Sequence, residues 1–270
     1  MKPSIIIFCL CALLFNASPV LAADDLDRLA QWDAANTDVV DHGAFGQFLS
    51  DYAEASRDGV NRVRYAEVWP EDRQRLDGYI QALAAHNPTQ LNRNEAFAFW
   101  VNLYNALTVR LILDHYPVKS IREIKPHPLA FGPWKMELVT VAGVSLTLDD
   151  IEHGILRAQW RDARIHYAVN CASIGCPNLL KRPFTGEELD SMLDRAARDY
   201  VNHSRGVKVN PNGKLILSSI YKWYAEDFGG DDQAGIGHLL KYAEPALAAE
   251  IRAAQSIDGY KYDWSLNEAR

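Results

Sequence analysis

Two thiols, Cys171 and Cys176, flank the small residues Ala172-Ser173-Ile174-Gly175, and no other pair in this 270-residue chain is better suited to covalent chemistry. A loop of small residues leaves backbone N–H groups free to meet an anion, which suits a thiolate or an oxyanion. A nucleophilic thiol also needs a base and a group that orients the base, brought together in space rather than in sequence. With Cys171 as nucleophile, the chain offers His153 as base with His166 as its rival, Glu152 or Asn105 as orienting group, and the amides of Ala172 and Ser173 as an oxyanion hole. That set predicts acyl transfer or hydrolysis of a small amide or peptide substrate. Asn102, Tyr104, Asn105, Asn170, Ser173, Trp223 and Tyr224 are the expected substrate contacts.

Two other readings use the same residues. In the first, Cys171 attacks and Cys176 resolves in redox exchange with a small thiol peptide such as glutathione, or the two close a disulfide; geometry rather than spacing decides closure. The four residues between the cysteines depart from the two-residue spacing typical of such sites. In the second, the domain is a non-catalytic binding module, a permanent bridge shapes the loop, and Trp100, Tyr104, Trp223 and Tyr224 line a groove. His153, His166, Cys171 and Cys176 are metal-ligand types but lack the paired spacings of a structural zinc site, so no metal and no cofactor is expected.

The elements that must position these groups read as α+β. Gly43 to Tyr52 carries Phe45, Phe48, Leu49 and Tyr52 at helical spacing, Val60 to Tyr65 breaks that pattern, and Pro70 starts another helix. Tyr65 and Trp69 are assigned to the core. Asn94 is the expected cap of a helix running to about His115 and apolar nearly all round, hence central and buried. Asn102 and Asn105 on that helix either tie down neighbouring loops or face a cleft.

Lys135 to Val141 and Val144 to Leu148 predict a hairpin around Ala142-Gly143, followed by a helix opened by the capping pair Thr147 and Asp150. On that helix the adjacent Glu152 and His153 diverge by about 100°. Ala163 to Cys171 reads as a strand, Glu187 to Asn202 as an amphipathic helix, and Val207 to Leu217 as a hairpin. One helix is expected from Ile236 to about Ala253, and an edge strand from Lys261 to Trp264. The predicted fold is a small, mainly antiparallel sheet packed among helices, with one central buried helix.

Met1-Lys2, the apolar run Ile5 to Phe15 and Val20-Leu21-Ala22 have the layout of a secretory signal peptide over residues 1–22. The expected organisation is then an N-terminal helical region over 23–90 packed on an α+β domain over 91–270, one globular unit in the periplasm or secreted. Cleavage after Ala22 removes Cys9 and Cys11 and leaves Cys171 and Cys176 as a pair in an oxidising compartment. A formal charge of −7 without a basic cluster argues against nucleic acid as a partner. The expected ligand is a small molecule or peptide, no membrane span is expected in the mature form, and nothing in the sequence sets the oligomeric state.

Five blocks in order carry a family likeness: Phe99-Trp100-Val101-Asn102-Leu103-Tyr104-Asn105-Ala106; Leu146 to Arg157 with Asp149-Asp150-Ile151-Glu152-His153; His166 to Ser173; Cys176-Pro177; and Trp223-Tyr224-Ala225-Glu226-Asp227-Phe228-Gly229. Together they resemble the domain of unknown function 547 family over roughly Asn94 to Gly229. The family is named for its lack of an established activity. It includes secreted bacterial proteins and plant proteins in which the domain follows a coiled coil, and this chain looks like the bacterial sort.

Overall fold

A computed structural model describes residues 23–254 and 256–269, so the expected signal peptide at 1–22 lies outside the described residues. The helix Arg93–His115 is the axis of the fold, and every residue from Glu95 to Val109 on it is buried. It is long and apolar enough to cross a membrane, yet 89% of its apolar window is covered by the rest of the chain, which makes it a core helix. Its cap is Asn92, two positions before the expected Asn94. The extended backbone of Asn92 lets its side-chain oxygen accept the N–H groups of Asn94 and Glu95, each at 3.1 Å.

Amides inside such a helix must be bonded, since an unpaired one costs about 1–3 kcal/mol. Asn102 accepts from the Phe184 amide at 2.9 Å and donates to the Phe184 carbonyl at 2.8 Å. Asn105 accepts from the Asn170 amide at 2.8 Å and donates to the Ala168 carbonyl at 3.0 Å. The tying-down role therefore holds for both, and Asn105 ties the segment that leads to the cysteines.

The helices Gly43–Tyr52 and Pro70–Ala85 contribute Phe45, Phe48, Leu76, Tyr79 and Leu83 to the same core as the central helix. Tyr65 is buried as expected. Trp69 is not, at 68% exposed, because it stands just outside the first turn of Pro70–Ala85 rather than on its packed face.

The fold is α+β, with three separate small sheets instead of one among the described residues. Ala53–Ala55 pairs with Asn61–Val63, and Val139–Val141 with Val144–Leu146, both antiparallel. Ala142 and Gly143 both hold positive φ (46° and 82°), the backbone a two-residue hairpin requires. In the third sheet Val207–Val209 runs antiparallel to Leu215–Ser218, and Ile257–Lys261 joins Leu215–Ser218 in parallel. The closing strand thus ends at Lys261 where sequence placed its start, because its partners lie along Leu215–Ser218. The amphipathic helix runs Leu189–Val201. The last predicted helix is two, Asp232–Tyr242 and Pro245–Ala253, with Pro245 opening the second.

Two differences bear on the site. The Thr147–Asp150 cap forms reciprocally, Thr147 Oγ1 accepting from the Asp150 amide at 3.1 Å and Asp150 Oδ2 from the Thr147 amide at 2.9 Å, but the helix that follows is π-wound over Asp150–Arg157. Ala163 to Cys171 is not a strand: Ile165–Ala168 makes a helical turn, and the chain extends only from Val169. Asp162 sets that turn, its side chain accepting from the Arg164 amide and its carbonyl from the Ile165 amide.

Candidate functional site

The cysteine loop is built by side chains that capture its backbone. Asn170 Oδ1 accepts from the Ala172 amide at 2.8 Å and its Nδ2 donates to the Pro177 carbonyl at 2.7 Å, so one amide spans the loop. Ala172 is held at φ 56°, a left-handed conformation that costs a non-glycine residue roughly 1–2 kcal/mol. The C-terminal segment fixes the other side. The Ile174 amide donates to Ser265, the Gly175 amide to Asp263, and the Asn267 amide to the Ala172 carbonyl. A Cβ on Gly175 would stand 2.7 Å from the Asp263 backbone nitrogen, so the close approach requires glycine here.

The two cysteines are free thiols with their sulfurs 2.6 Å apart. Tyr262 Oη lies 3.1 Å from the Cys171 sulfur and 3.0 Å from that of Cys176, and the Cys171 amide donates to Cys176 Sγ at 3.1 Å. Cys171 is half-buried and Cys176 buried. The pair titrates as a unit. The hydrogen bond with Cys176, followed by burial, pushes the Cys171 thiol up. Burial also raises Cys176, but donors from Cys171, from Tyr262 and from the backbone outweigh it and hold Cys176 below the ordinary thiol value. Burial and the adjacent sulfurs push the Tyr262 phenol well above its usual value, so it remains a donor when a sulfur is charged.

Cys171 and Cys176 both line a cavity of about 610 Å3. Glu152, His153, His166, Tyr104, Trp223 and Tyr224 line it with them. Glu152 and His153, adjacent on the π-wound helix, both border the cavity. Glu152 Oε1 is 3.9 Å from Nδ1 of both His153 and His166. His166 Nε2 meets Asp227 Oδ2 at 2.6 Å, and Arg157 grips the same carboxylate with Nε at 2.6 Å and Nη2 at 3.1 Å. Burial raises the Asp227 carboxyl, but the hydrogen bonds and charges of His166 and Arg157 outweigh it and hold it well below the usual carboxylate range. Tyr224 stacks on the His166 ring with centroids 4.0 Å apart.

The remaining expected contacts stand behind the wall. Asn102, Asn105 and Asn170 are turned to backbone groups, so they brace loops; none of the three is among the residues lining the cavity, and Asn105 bonds the Ala168–Asn170 backbone and not an imidazole. Ser173 is buried beneath Cys171, 3.6 Å from its sulfur. The expected oxyanion hole is not available at Ala172, whose amide is held by Asn170, while the Cys171 amide points to the Cys176 sulfur. Among the described residues, no imidazole nitrogen makes a hydrogen bond to either sulfur; the partners of Cys171 Sγ are Ser173, Cys176 and Tyr262.

Asp227, Arg157, Tyr262 and the tryptophans Trp134 and Trp264 that extend the cavity are site residues beyond those the sequence predicts. Asp227 sat in a recognised block without a role, and Tyr262 in the aromatic run Tyr260-Lys261-Tyr262-Asp263-Trp264, a signal that was legible. No residue of the N-terminal region 23–90 is among those lining the cavity, which come from Tyr104 to Trp264.

Residues 88–201 match the family model described as "Protein of unknown function, DUF547". The match includes both cysteines, Glu152, His153 and His166, and ends before Tyr224, Asp227 and Tyr262. Neither a curated protein nor a solved structure matches the chain.

Proposed function

The chain belongs to this DUF547 family through residues 88–201, and from the chemistry of its site we propose a thiol–disulfide exchange centre of an exported protein, in which Cys171 and Cys176 cycle between dithiol and disulfide with a cysteine-bearing small molecule or peptide. The observation that carries this reading is the sulfur pair, 2.6 Å apart, with backbone and phenol donors trained on the sulfurs rather than on an oxyanion. In the oxidised form a ligand thiolate attacks the more accessible sulfur, Cys171. The S–S bond breaks and its electron pair goes to Cys176, whose thiolate the Cys171 amide and the Tyr262 hydroxyl receive. A second ligand thiolate attacks the ligand sulfur of this mixed disulfide, expels Cys171 as a thiolate that takes up a proton, and leaves the ligand as a disulfide. Two electrons pass to the protein, and a small-molecule disulfide such as oxidised glutathione restores the bridge by the reverse steps. A stabilised leaving thiolate favours the reduced protein and so makes its disulfide a stronger oxidant. The signal-peptide-like residues 1–22 fit delivery to an oxidising compartment.

A second reading, acyl transfer at Cys171 with His153 or His166 as base, is favoured by one observation: the three side chains and Glu152 line the same cavity. It requires an imidazole to close to about 2.6–3.2 Å from the sulfur.

The two separate in one experiment on the full chain, equilibrated in glutathione redox buffers, alkylated and weighed. Exchange predicts a two-electron transition, its loss in Cys171→Ser, and a trapped mixed disulfide at Cys171 in Cys176→Ser. Turnover of a thioester or amide substrate that persists in Cys176→Ser, with no redox transition in the parent protein, would establish acyl transfer instead.

A further inference from the structure

Next to the thiols the cavity has a second wall of different chemistry. Tyr262, which touches both sulfurs, packs on Trp264 with centroids 4.6 Å apart and on Trp223 at 4.9 Å. Trp264 in turn meets Trp134 and Phe131, each at 5.7 Å, so aromatic surface runs unbroken from the sulfurs to the rim. The rim is unusually apolar for a water-facing surface: Leu129 is 93% exposed, Phe131 58% and Trp223 47%. Three of the five large apolar side chains exposed on the described protein therefore border this one cavity. Clustered exposed apolar residues mark a recognition surface, and aromatic residues dominate the energetics of such contacts.

The charge of the lining narrows the ligand. Asp149 and Glu152 stand against Lys135 as the one Lys or Arg among the lining residues; a second cation, Arg122, is not among them but sits over the rim rings Phe131 and Trp264, at 4.0 and 5.3 Å from their centroids. A small thiol peptide carrying two free carboxylates would bring like charge to Glu152, while a backbone-neutral or basic peptide would not.

We propose that this wall is a subsite for a polypeptide segment whose cysteine is flanked by apolar or aromatic residues and whose charge is neutral to positive. The site then takes the thiols of protein chains before their apolar residues are buried, and discriminates against anionic small thiols. The substrate class rests on the exchange reading, but the binding it demands does not need a thiol.

The test therefore uses thiol-free probes and calorimetry with the full-length protein. One probe is a capped pentapeptide of lysine, leucine, serine, tryptophan and alanine, with serine in the place of cysteine. The others are the same peptide with glutamate for lysine, and S-methylglutathione. The basic peptide should bind at least tenfold more tightly than either. Phe131→Ala and Trp223→Ala, both at exposed positions that a fold tolerates, should each weaken it several-fold, while Trp69→Ala, on an exposed tryptophan away from the cavity, should not. Equal affinity for the three probes, tighter binding of S-methylglutathione, no binding of the basic peptide, or full affinity in both rim variants would overturn the subsite. Failure of the redox transition with intact peptide binding would fault the exchange reading alone.

Discussion

The backbone N–H of Cys171 points at the sulfur of Cys176, 3.1 Å away. A residue that carries a thiol thus donates its own amide to the other thiol, and the loop that presents the pair also decides which member bears the charge.

The first proton should leave the pair from Cys176, at a pH below the ordinary thiol range. Loss of a hydrogen bond to a charged group is worth about 1.5–3 kcal/mol, so Tyr262→Phe should raise that midpoint by about one unit or more. The check is the pH dependence of alkylation followed by mass spectrometry on each cysteine. An unchanged midpoint in Tyr262→Phe would refute the phenol as donor.

Asn102→Ala and Asn105→Ala remove matched pairs of buried bonds from one helix and should each cost about 1–3 kcal/mol in denaturant unfolding. They should differ at the thiols. Only Asn105→Ala frees the Ala168–Asn170 segment, so it alone should change the alkylation rate of Cys171 by several-fold at equal folded fraction.

Asp227→Asn should destabilise the protein at neutral pH by about 1–2 kcal/mol, discounted for the solvent that reaches this half-buried pair. The folded carboxyl lies below its unfolded value of about 3.9, so its contribution is complete above that value and fades as pH falls through the folded one. The gap between parent and variant, from urea midpoints, should therefore narrow below about pH 4.

His42 gives the opposite acid signature to an ion-paired histidine. Burial lowers it from 6.5 to about 4, with nearby Asp41 opposing, and among the described residues its Nε2 has no hydrogen-bond partner. The unfolded state then binds a proton that the fold refuses between those values. Stability should be level above about pH 7 and fall as pH drops towards 4, by on the order of 2–3 kcal/mol. His42→Gln, which can still bond Tyr79, should flatten that slope; His238, also lowered to about 4 by burial and Lys241, leaves a residue of it.

What the sequence disclosed is what local chemistry decides. The buried helix, the Ala142-Gly143 hairpin and the Thr147–Asp150 cap follow from apolar periodicity, turn backbone and a side chain two or three positions from its amide. What it hid depends on distant partners. Ile165-His166-Tyr167-Ala168 alternates like a strand, and the clasp by Asn105, 63 positions away, together with the turn from Asp162 overrides that pattern. The cavity residues Cys171, Glu152, His153 and His166 were readable as chemically able types. That the sulfurs would be engaged by each other and by Tyr262, 91 and 86 positions later in the chain, was not.

The fastening of the cysteine loop by residues 263–267 sets an order of events. During synthesis the two thiols emerge well ahead of the segment that fixes them, and closing so long a loop is a late step in folding. Until it docks, the loop has neither its phenol nor its backbone anchors, and its thiols behave as those of any unstructured chain. The phenol's share in holding Cys176 below the ordinary thiol value is therefore expected only once the last strand and the residues after it are in place.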